Sequence, residues 1–211
     1  MKLKLILITV LALGSLAHAQ GFVSNLSIGA GFQGIFPSAT SSKGSSNLSG
    51  FPNTQSTTNS VGIVADARYD FGRHSALDAS VTVNRNTEVF FNGETQNTDR
   101  VQTNNLEIIG SYVFRLPSND RIKPYALFGG GIVRFMPNND YSTGLTPSTD
   151  MKAAFAYGVG SDVKVNDHIA IRLQYRGLLH SEPDFKLSSA PFGTGLRTHV
   201  PEPSIMVVYH F

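Results

Sequence analysis

The feature that most constrains this chain is a strict alternation of apolar and polar residues, which returns eight times along its length. The closing stretch shows it clearly, because Ile205, Val207, Tyr209 and Phe211 fall on every second position. Successive side chains of an extended strand point to opposite faces, so these four share one face if the stretch is a strand. The period predicts a chain built from β-strands that each have one apolar side.

The alternation predicts strands at about residues 22–36, 61–69, 76–91, 100–116, 124–136, 151–165, 169–179 and 205–211. The segment from Pro37 to Ser60 has no period and predicts a long irregular loop. Short and longer connections alternate along the chain, and this is typical of outer-membrane barrels with an even number of antiparallel strands. The expected fold is all-β, an eight-stranded antiparallel up-and-down transmembrane β-barrel.

The first 19 residues have a different composition from the rest. Lys2 and Lys4 precede an apolar run, and Ala17 and Ala19 form an A-x-A cleavage site. We therefore interpret residues 1–19 as a signal peptide and residues 20–211 as the barrel domain. The apolar run is shorter than the roughly 20 residues that a spanning helix needs.

Charge and cysteine content exclude several kinds of function. Removing the leader takes two lysines from the 17 Lys and Arg residues, which leaves 15 basic against 15 acidic residues. A formally neutral domain does not favour nucleic acid as a partner. The sequence has no Cys, so disulfides and thiolate metal sites are excluded. No motif in the sequence predicts a cofactor.

A membrane barrel turns its apolar side to lipid and its polar side to the lumen. The predicted lumen charge network comprises Asp66, Arg68, Asp70, Asp78, Glu107, Arg115, Arg134, Asp162, Lys164, Arg172 and Arg176. Registers chosen from apolar pairing place Arg68 opposite Asp78, Asp162 opposite Arg172 and Glu107 opposite Arg134. An eight-stranded barrel has an interior only just wide enough for its side chains, so we expect a closed lumen.

Aromatic residues are expected on the lipid-facing side. Six tyrosines and the last residue fall on the apolar face of a predicted strand, and several lie near strand ends, where interfacial girdles form: Tyr69, Tyr112, Tyr125, Tyr157, Tyr175, Tyr209 and Phe211. In the fifth strand, Tyr125, Leu127, Val133 and Phe135 are assigned to this outward face.

The leader, the eight alternating strands and the terminal Phe211 together resemble the small OmpA-like and opacity-type outer-membrane barrels. The resemblance implies a cell outer-membrane location with both termini periplasmic, and contact with outer-membrane lipid. It also implies that the barrel-assembly machinery reads Ile205, Val207, Tyr209 and Phe211, and that the loops can meet an extracellular ligand. The sequence shows no peptidoglycan-binding domain of the kind that full-length OmpA-type proteins carry.

Three functions follow from this reading. The favoured one is a structural or surface-binding barrel without catalysis, and the second is a narrow channel for small solutes. The third is a lipid-modifying enzyme that resembles the lipid A deacylases, since His180, Ser181 and Glu182 are suitable residue types. Adjacent residues of a strand point to opposite faces, however, which argues against a His–Ser pair there. The histidines show no spacing typical of a metal site.

Overall fold

The computed structural model describes residues 24–42, 53–92, 96–117, 121–141, 146–186 and 196–211. The expected signal peptide, with Ala17 and Ala19, lies outside these residues. Within them the model has ten strands: β1 (Leu26–Ile35), β2 (Thr40–Ser42), β3 (Asn53–Thr57), β4 (Ser60–Asp70), β5 (Ser75–Phe91), β6 (Thr98–Arg115), β7 (Ile122–Tyr141), β8 (Asp150–Lys164), β9 (Ile169–Ser181) and β10 (Arg197–His210). The described part of the chain contains no helix that is long and apolar enough to cross a membrane.

Eight of these strands, β1 and β4 to β10, form a closed antiparallel barrel, as the alternation predicts. The cylinder closes because β10 pairs with β1 and β5 pairs with β6. Short connections at 71–74, 116–121 and 165–168 lie at one end, which we call the turn end. The longer connections lie at the opposite end, which we call the loop end.

The barrel has an apolar outside and a polar inside. Outward side chains such as Phe32, Ile63 and Val207 are 63%, 65% and 61% exposed, whereas the inward Gln33 is 1% exposed. The C-terminal residues Ile205, Val207, Tyr209 and Phe211 all point outward. This is the reverse of a water-soluble barrel, whose interior is apolar. The two kinds of residue are separated because neighbouring side chains of a strand point to opposite faces.

The segment from Pro37 to Ser60 is not entirely irregular, so that part of the prediction was wrong. It contributes β2 and β3, and β3 pairs with β5 from Thr57 opposite Glu88 to Thr54 opposite Phe91. The reason lies in β5, which continues past Val83, the last of its residues that pairs with β4. The resulting free ladder edge is filled by β3.

The faces of β7 were also assigned wrongly. Tyr125, Leu127, Val133 and Phe135 point into the barrel and are at most 4% exposed. Both faces of β7 are apolar, so apolar pairing selected a register one residue away from the true one, in which Arg115 lies opposite Tyr125. A slip of one residue exchanges the two faces of a strand.

The candidate functional site in the lumen

The first of two ion clusters in the lumen, the lower cluster, lies towards the turn end and comprises Asp66, Arg68, Asp78, Asp162 and Arg172. Arg68 Nε donates to Asp78 Oδ2 at 2.9 Å. Arg172 holds Asp162 with two parallel hydrogen bonds of 2.7 and 2.9 Å, and it also donates to Asp66. Both arginines are 0% exposed. Three carboxylates therefore meet two guanidinium groups in the buried interior of the barrel.

The ladders explain why these residues meet. Arg68 lies directly opposite Asp78 on β4 and β5, and Asp162 lies directly opposite Arg172 on β8 and β9. Both registers are those that the sequence predicts, and opposed side chains in a ladder lie about 5 Å apart. The contact between Arg172 and Asp66 crosses the lumen, so the sequence offers no register argument for it.

Tyr125 is part of this arrangement, although its sequence context predicts an outward girdle position. The guanidinium carbon of Arg68 lies 4.3 Å from the centroid of the Tyr125 ring. The Tyr125 hydroxyl donates to Gln174 Oε1 at 2.8 Å. A cation over a desolvated ring is attracted by the ring quadrupole, so Tyr125 stabilises the buried charge of Arg68.

The second cluster, the upper cluster, lies nearer the loop end and centres on Arg176. Arg176 donates to Glu107 at 2.7 Å, to Glu202 at 2.6 Å and to Ser80 at 3.0 Å. Asn84 donates to the other oxygen of Glu107 at 3.0 Å. Glu107 was expected to pair with Arg134, and the one-residue shift of β7 is the reason that it does not.

Glu202 is the charged residue of this cluster that sequence analysis missed. It stands between Pro201 and Pro203, which hid the strand period in that segment. Counting back by twos from His210 places residue 202 on the inward face of the same strand, so the signal was present.

The remaining members of the predicted network lie elsewhere. Asp70 and Arg115 form a 2.7 Å hydrogen-bonded ion pair at the turn end. Lys164 is 41% exposed and contacts Asp167 in the adjacent turn at 2.7 Å. Arg134 is exposed on the outside of the barrel, so its assignment to the lumen was wrong, for the register reason given above.

An apolar chamber follows the upper cluster towards the loop end. Its inward side chains include Ile35, Phe90, Val133, Phe135, Leu178 and Val200. Phe185, in the segment after β9, is fully buried in this chamber and meets the Phe90 ring edge-on at a centroid distance of 6.1 Å. Its φ of 51° lies in the left-handed region, which non-glycine residues seldom adopt. The segment therefore closes the loop end of the lumen with an aromatic ring.

Strand β3 and a buried acid hold this closure. Gln55 of β3 donates to the carbonyl oxygen of Pro183 at 3.1 Å. Glu88 is 1% exposed and accepts a 2.7 Å hydrogen bond from Thr57. The pKa of Glu88 is raised to about 7, mainly by burial and to a smaller extent by the nearby Glu182, although the hydrogen bonds from Thr57 and Gln55 lower it.

The residues considered for catalysis do not form a pair. His180 points inward, where its ring lies 5.5 Å from that of Phe135, and its Nδ1 lies 2.9 Å from the Ser181 carbonyl oxygen. No hydrogen bond joins the side chains of His180 and Ser181 in the part of the chain that the model covers. Nor do the described residues contain three or more potential metal ligands grouped around one point.

Known proteins agree with this architecture. The family model for the outer membrane protein beta-barrel domain matches residues 5–211. The search of curated proteins found no match.

Solved structures show the same fold at low sequence identity. OprG from Pseudomonas aeruginosa superimposes with a TM-score of 0.65 at 13% identity, over 90% of this chain and 97% of that one. Neisserial surface protein A gives 0.54 at 14% identity, over 89% and 98%. Ail of Yersinia pestis, solved in complex with the heparin analogue sucrose octasulfate, gives 0.52 at 18% identity, over 88% and 97%. At these identities the likeness shows the fold alone. Since the family model covers nearly the whole chain, this protein belongs to the outer membrane protein β-barrel domain family and is an outer-membrane β-barrel.

Proposed function

We propose that this protein is a closed-lumen outer-membrane barrel with a structural or surface-binding role and no catalytic activity. The observation that carries the proposal is the pair of ion clusters stacked along the lumen. Arg68, Arg172 and Arg176 are at most 2% exposed, and side chains this tightly enclosed support a lumen without a water-filled path. Phe185 adds a third obstruction at the loop end.

A narrow channel is the main alternative, and planar-bilayer conductance separates the two. The purified, folded protein is expected to give no steady conductance above that of protein-free bilayers. Stable unitary currents from the wild type would refute the closed lumen. A variant that replaces Arg68, Arg172 and Arg176 by alanine serves as the comparison, because it removes three long side chains from the lumen and is expected to conduct if it folds.

The absence of catalysis is tested on the lipids of the host membrane. Mass spectra of lipid A from cells with and without the protein are expected to be identical. A deacylated species that depends on the protein, and that disappears when His180 is replaced by Gln, would establish the enzyme reading.

Export and orientation belong to the same proposal. We expect cleavage after Ala19, both termini in the periplasm, and recognition of the last strand by the barrel-assembly machinery. Deleting Phe211 is expected to reduce the amount of folded barrel in the outer membrane, whereas replacing it by Tyr retains an aromatic residue and is expected to have a smaller effect. Protease accessibility of epitope tags placed at either terminus and in the 187–195 segment tests the orientation. Loop tags cut from outside intact cells, with protected termini, are the expected result.

A further inference from the structure

Four arginines occupy exposed positions on the outward faces of the strands, and all four lie near the loop end. They are Arg85 on β5, Arg100 on β6, Arg134 on β7 and Arg197 on β10, and each is exposed. The outer wall therefore carries positive charge where its apolar band ends.

Arg134 and Arg197 differ from Arg85 in their surroundings. Arg85 donates a hydrogen bond to Gln102. The side chains of Arg134 and Arg197 make neither hydrogen bonds nor ion pairs within the described ranges. A guanidinium group has five N–H donors in a fixed planar fork, a geometry that matches the oxygens of phosphate.

A groove lies on the outer wall between these two arginines. The ladder between β8 and β9 ends at Ala154 and His180, whereas β8 begins four residues earlier at Asp150. The lining of the groove includes the outward-facing Met151, Ala153, Phe155, Leu179, Ser181 and Arg197. It also includes Lys152, whose amine is held in ion pairs with Asp150 and Asp184. Met151 and Phe155 are 53% and 51% exposed. The small side chain of Ala153 between them leaves a depression in the outer surface.

Arg197 lines the groove on the β10 side, and Arg134 lies next to the Met151 wall on the β7 side. Arg134 lies directly opposite Met151 on β7 and β8, and Arg197 lies directly opposite Ser181 on β10 and β9. Three strand spacings, about 14 Å in total, separate them across the sheet. Two extended arginine side chains that lean towards each other over this span can meet a single headgroup.

We propose that the groove binds a phosphorylated lipid of the surrounding membrane. Its phosphate lies between the guanidinium groups of Arg134 and Arg197, and its acyl chain lies along Met151, Ala153 and Leu179. Phosphate complements the two charges with bidentate hydrogen bonds. The apolar walls of the groove continue the lipid-facing surface of the barrel. The site lies on the outer wall, so the proposal holds whether or not the lumen conducts.

The test is a titration of folded protein in neutral detergent micelles with diphosphoryl lipid A and, separately, with the same lipid after dephosphorylation, followed by calorimetry. The wild type is expected to prefer the phosphorylated lipid roughly tenfold or more, because two arginines at a lipid surface attract its phosphate groups. The double variant R134Q/R197Q is expected to lose that preference. The single variants R134Q and R197Q are expected to lose part of it, and they replace the double variant if it does not fold.

Two controls separate a specific groove from a generally basic rim. R85Q removes an outward arginine near the same end that already has a protein partner, and it is expected to bind like the wild type. A153F keeps every charge but fills the groove, and it is expected to weaken binding of the phosphorylated lipid. The proposal is overturned if R85Q weakens binding as much as the double variant does, or if A153F binds like the wild type. Displacement of the lipid by equimolar inorganic phosphate would also overturn it, because a free anion would then be the ligand.

Discussion

Arg172 is the residue on which the lower cluster depends. It is fully buried and contacts both Asp162 and Asp66, so its charge compensates two carboxylates at once. A buried ion pair is weak evidence for stability by itself, because desolvation offsets the attraction. Removing one partner is different, since it leaves a charge that is both buried and uncompensated.

We predict that Arg172→Met lowers the free energy of unfolding by about 3–5 kcal/mol, as is typical for a broken buried pair. Arg73→Met is the matched control, because Arg73 is exposed in the 71–74 turn and is expected to change stability little. Denaturant titration in detergent, followed by heat-modifiability gels, measures both variants. Equal midpoints for the two would show that the lower cluster does not stabilise the barrel.

Glu88 predicts a pH dependence of stability. Its pKa is about 7 in the folded protein, above the ordinary value of 4.5, because burial penalises its charged form. The folded state therefore binds the proton more tightly than the unfolded state, so the contribution of Glu88 to the free energy of unfolding is greatest below about pH 4.5. Stability then falls as pH rises to about 7, by up to roughly 3 kcal/mol, and changes no further above that. The charged group that acts on Glu88 in the structure is Glu182, which acts in the same direction.

Glu88→Gln is the variant that checks this origin. It keeps an acceptor for the Thr57 hydroxyl and cannot ionise, so its unfolding free energy is expected to vary less between pH 5 and pH 8 than that of the wild type. If the two pH profiles have the same slope, another group causes the dependence.

At the scale of single elements, β7 shows where sequence reasoning stopped. Alternation of charged with apolar residues defined the faces of β5, β8 and β9, because a charged position cannot face lipid cheaply. In β7 the inward Tyr125 and Leu127 are as apolar as the outward Phe128, and Gly129 to Gly131 carry no side chains at all. Such a stretch does not distinguish one pairing register from the register one residue away. Arg134 and Tyr125 were therefore both assigned to the wrong face of β7.

The glycines of β7 carry a prediction of their own. A Cβ at Gly131 would lie 1.9 Å from the carbonyl oxygen of Ile108, whereas a Cβ at Gly130 would meet nothing closer than 3.2 Å. Gly131→Ala is therefore expected to force β6 and β7 apart and to cost at least about 1–3 kcal/mol, as overpacking does. Gly130→Ala, one residue away on the lipid-facing side, is the matched control and is expected to be tolerated. Comparable folded fractions for the two variants on a heat-modifiability gel would contradict the close backbone contact.

At the scale of the whole molecule, the barrel, its closure and its outward apolar surface were predictable from the sequence, and the contacts across the lumen were not. Periodicity reports which face of a strand a residue occupies. It does not report which of seven other strands lies across the cylinder, so the contacts from Arg172 to Asp66 and from Arg176 to Glu107 and Ser80 needed the structure. Phe185 was missed for a similar reason, because it belongs to a connection and not to a periodic strand.

The lipid-facing surface predicts a dependence on depth. Leu173 faces outward within the apolar band, and Met151 faces outward beside Arg134 at its edge. Leu173→Arg is expected to cost about 2–4 kcal/mol, and Met151→Arg about 0–1 kcal/mol, because arginine is tolerated near the interface. Refolding into lipid vesicles and denaturant unfolding measure the difference. Equal costs would place the two positions at the same depth.

The lumen contacts also have a mechanical consequence. Ladder hydrogen bonds run around the circumference of a cylinder, and they do little to stop its cross-section from flattening into an ellipse. Arg172 on β9 contacts Asp66 on β4, and Arg176 on β9 contacts Ser80 on β5. Since β9 is adjacent to neither β4 nor β5, each contact joins distant parts of the barrel wall across the lumen. Contacts of this kind at two levels of the lumen are expected to keep the cross-section of the barrel circular under the lateral pressure of the membrane.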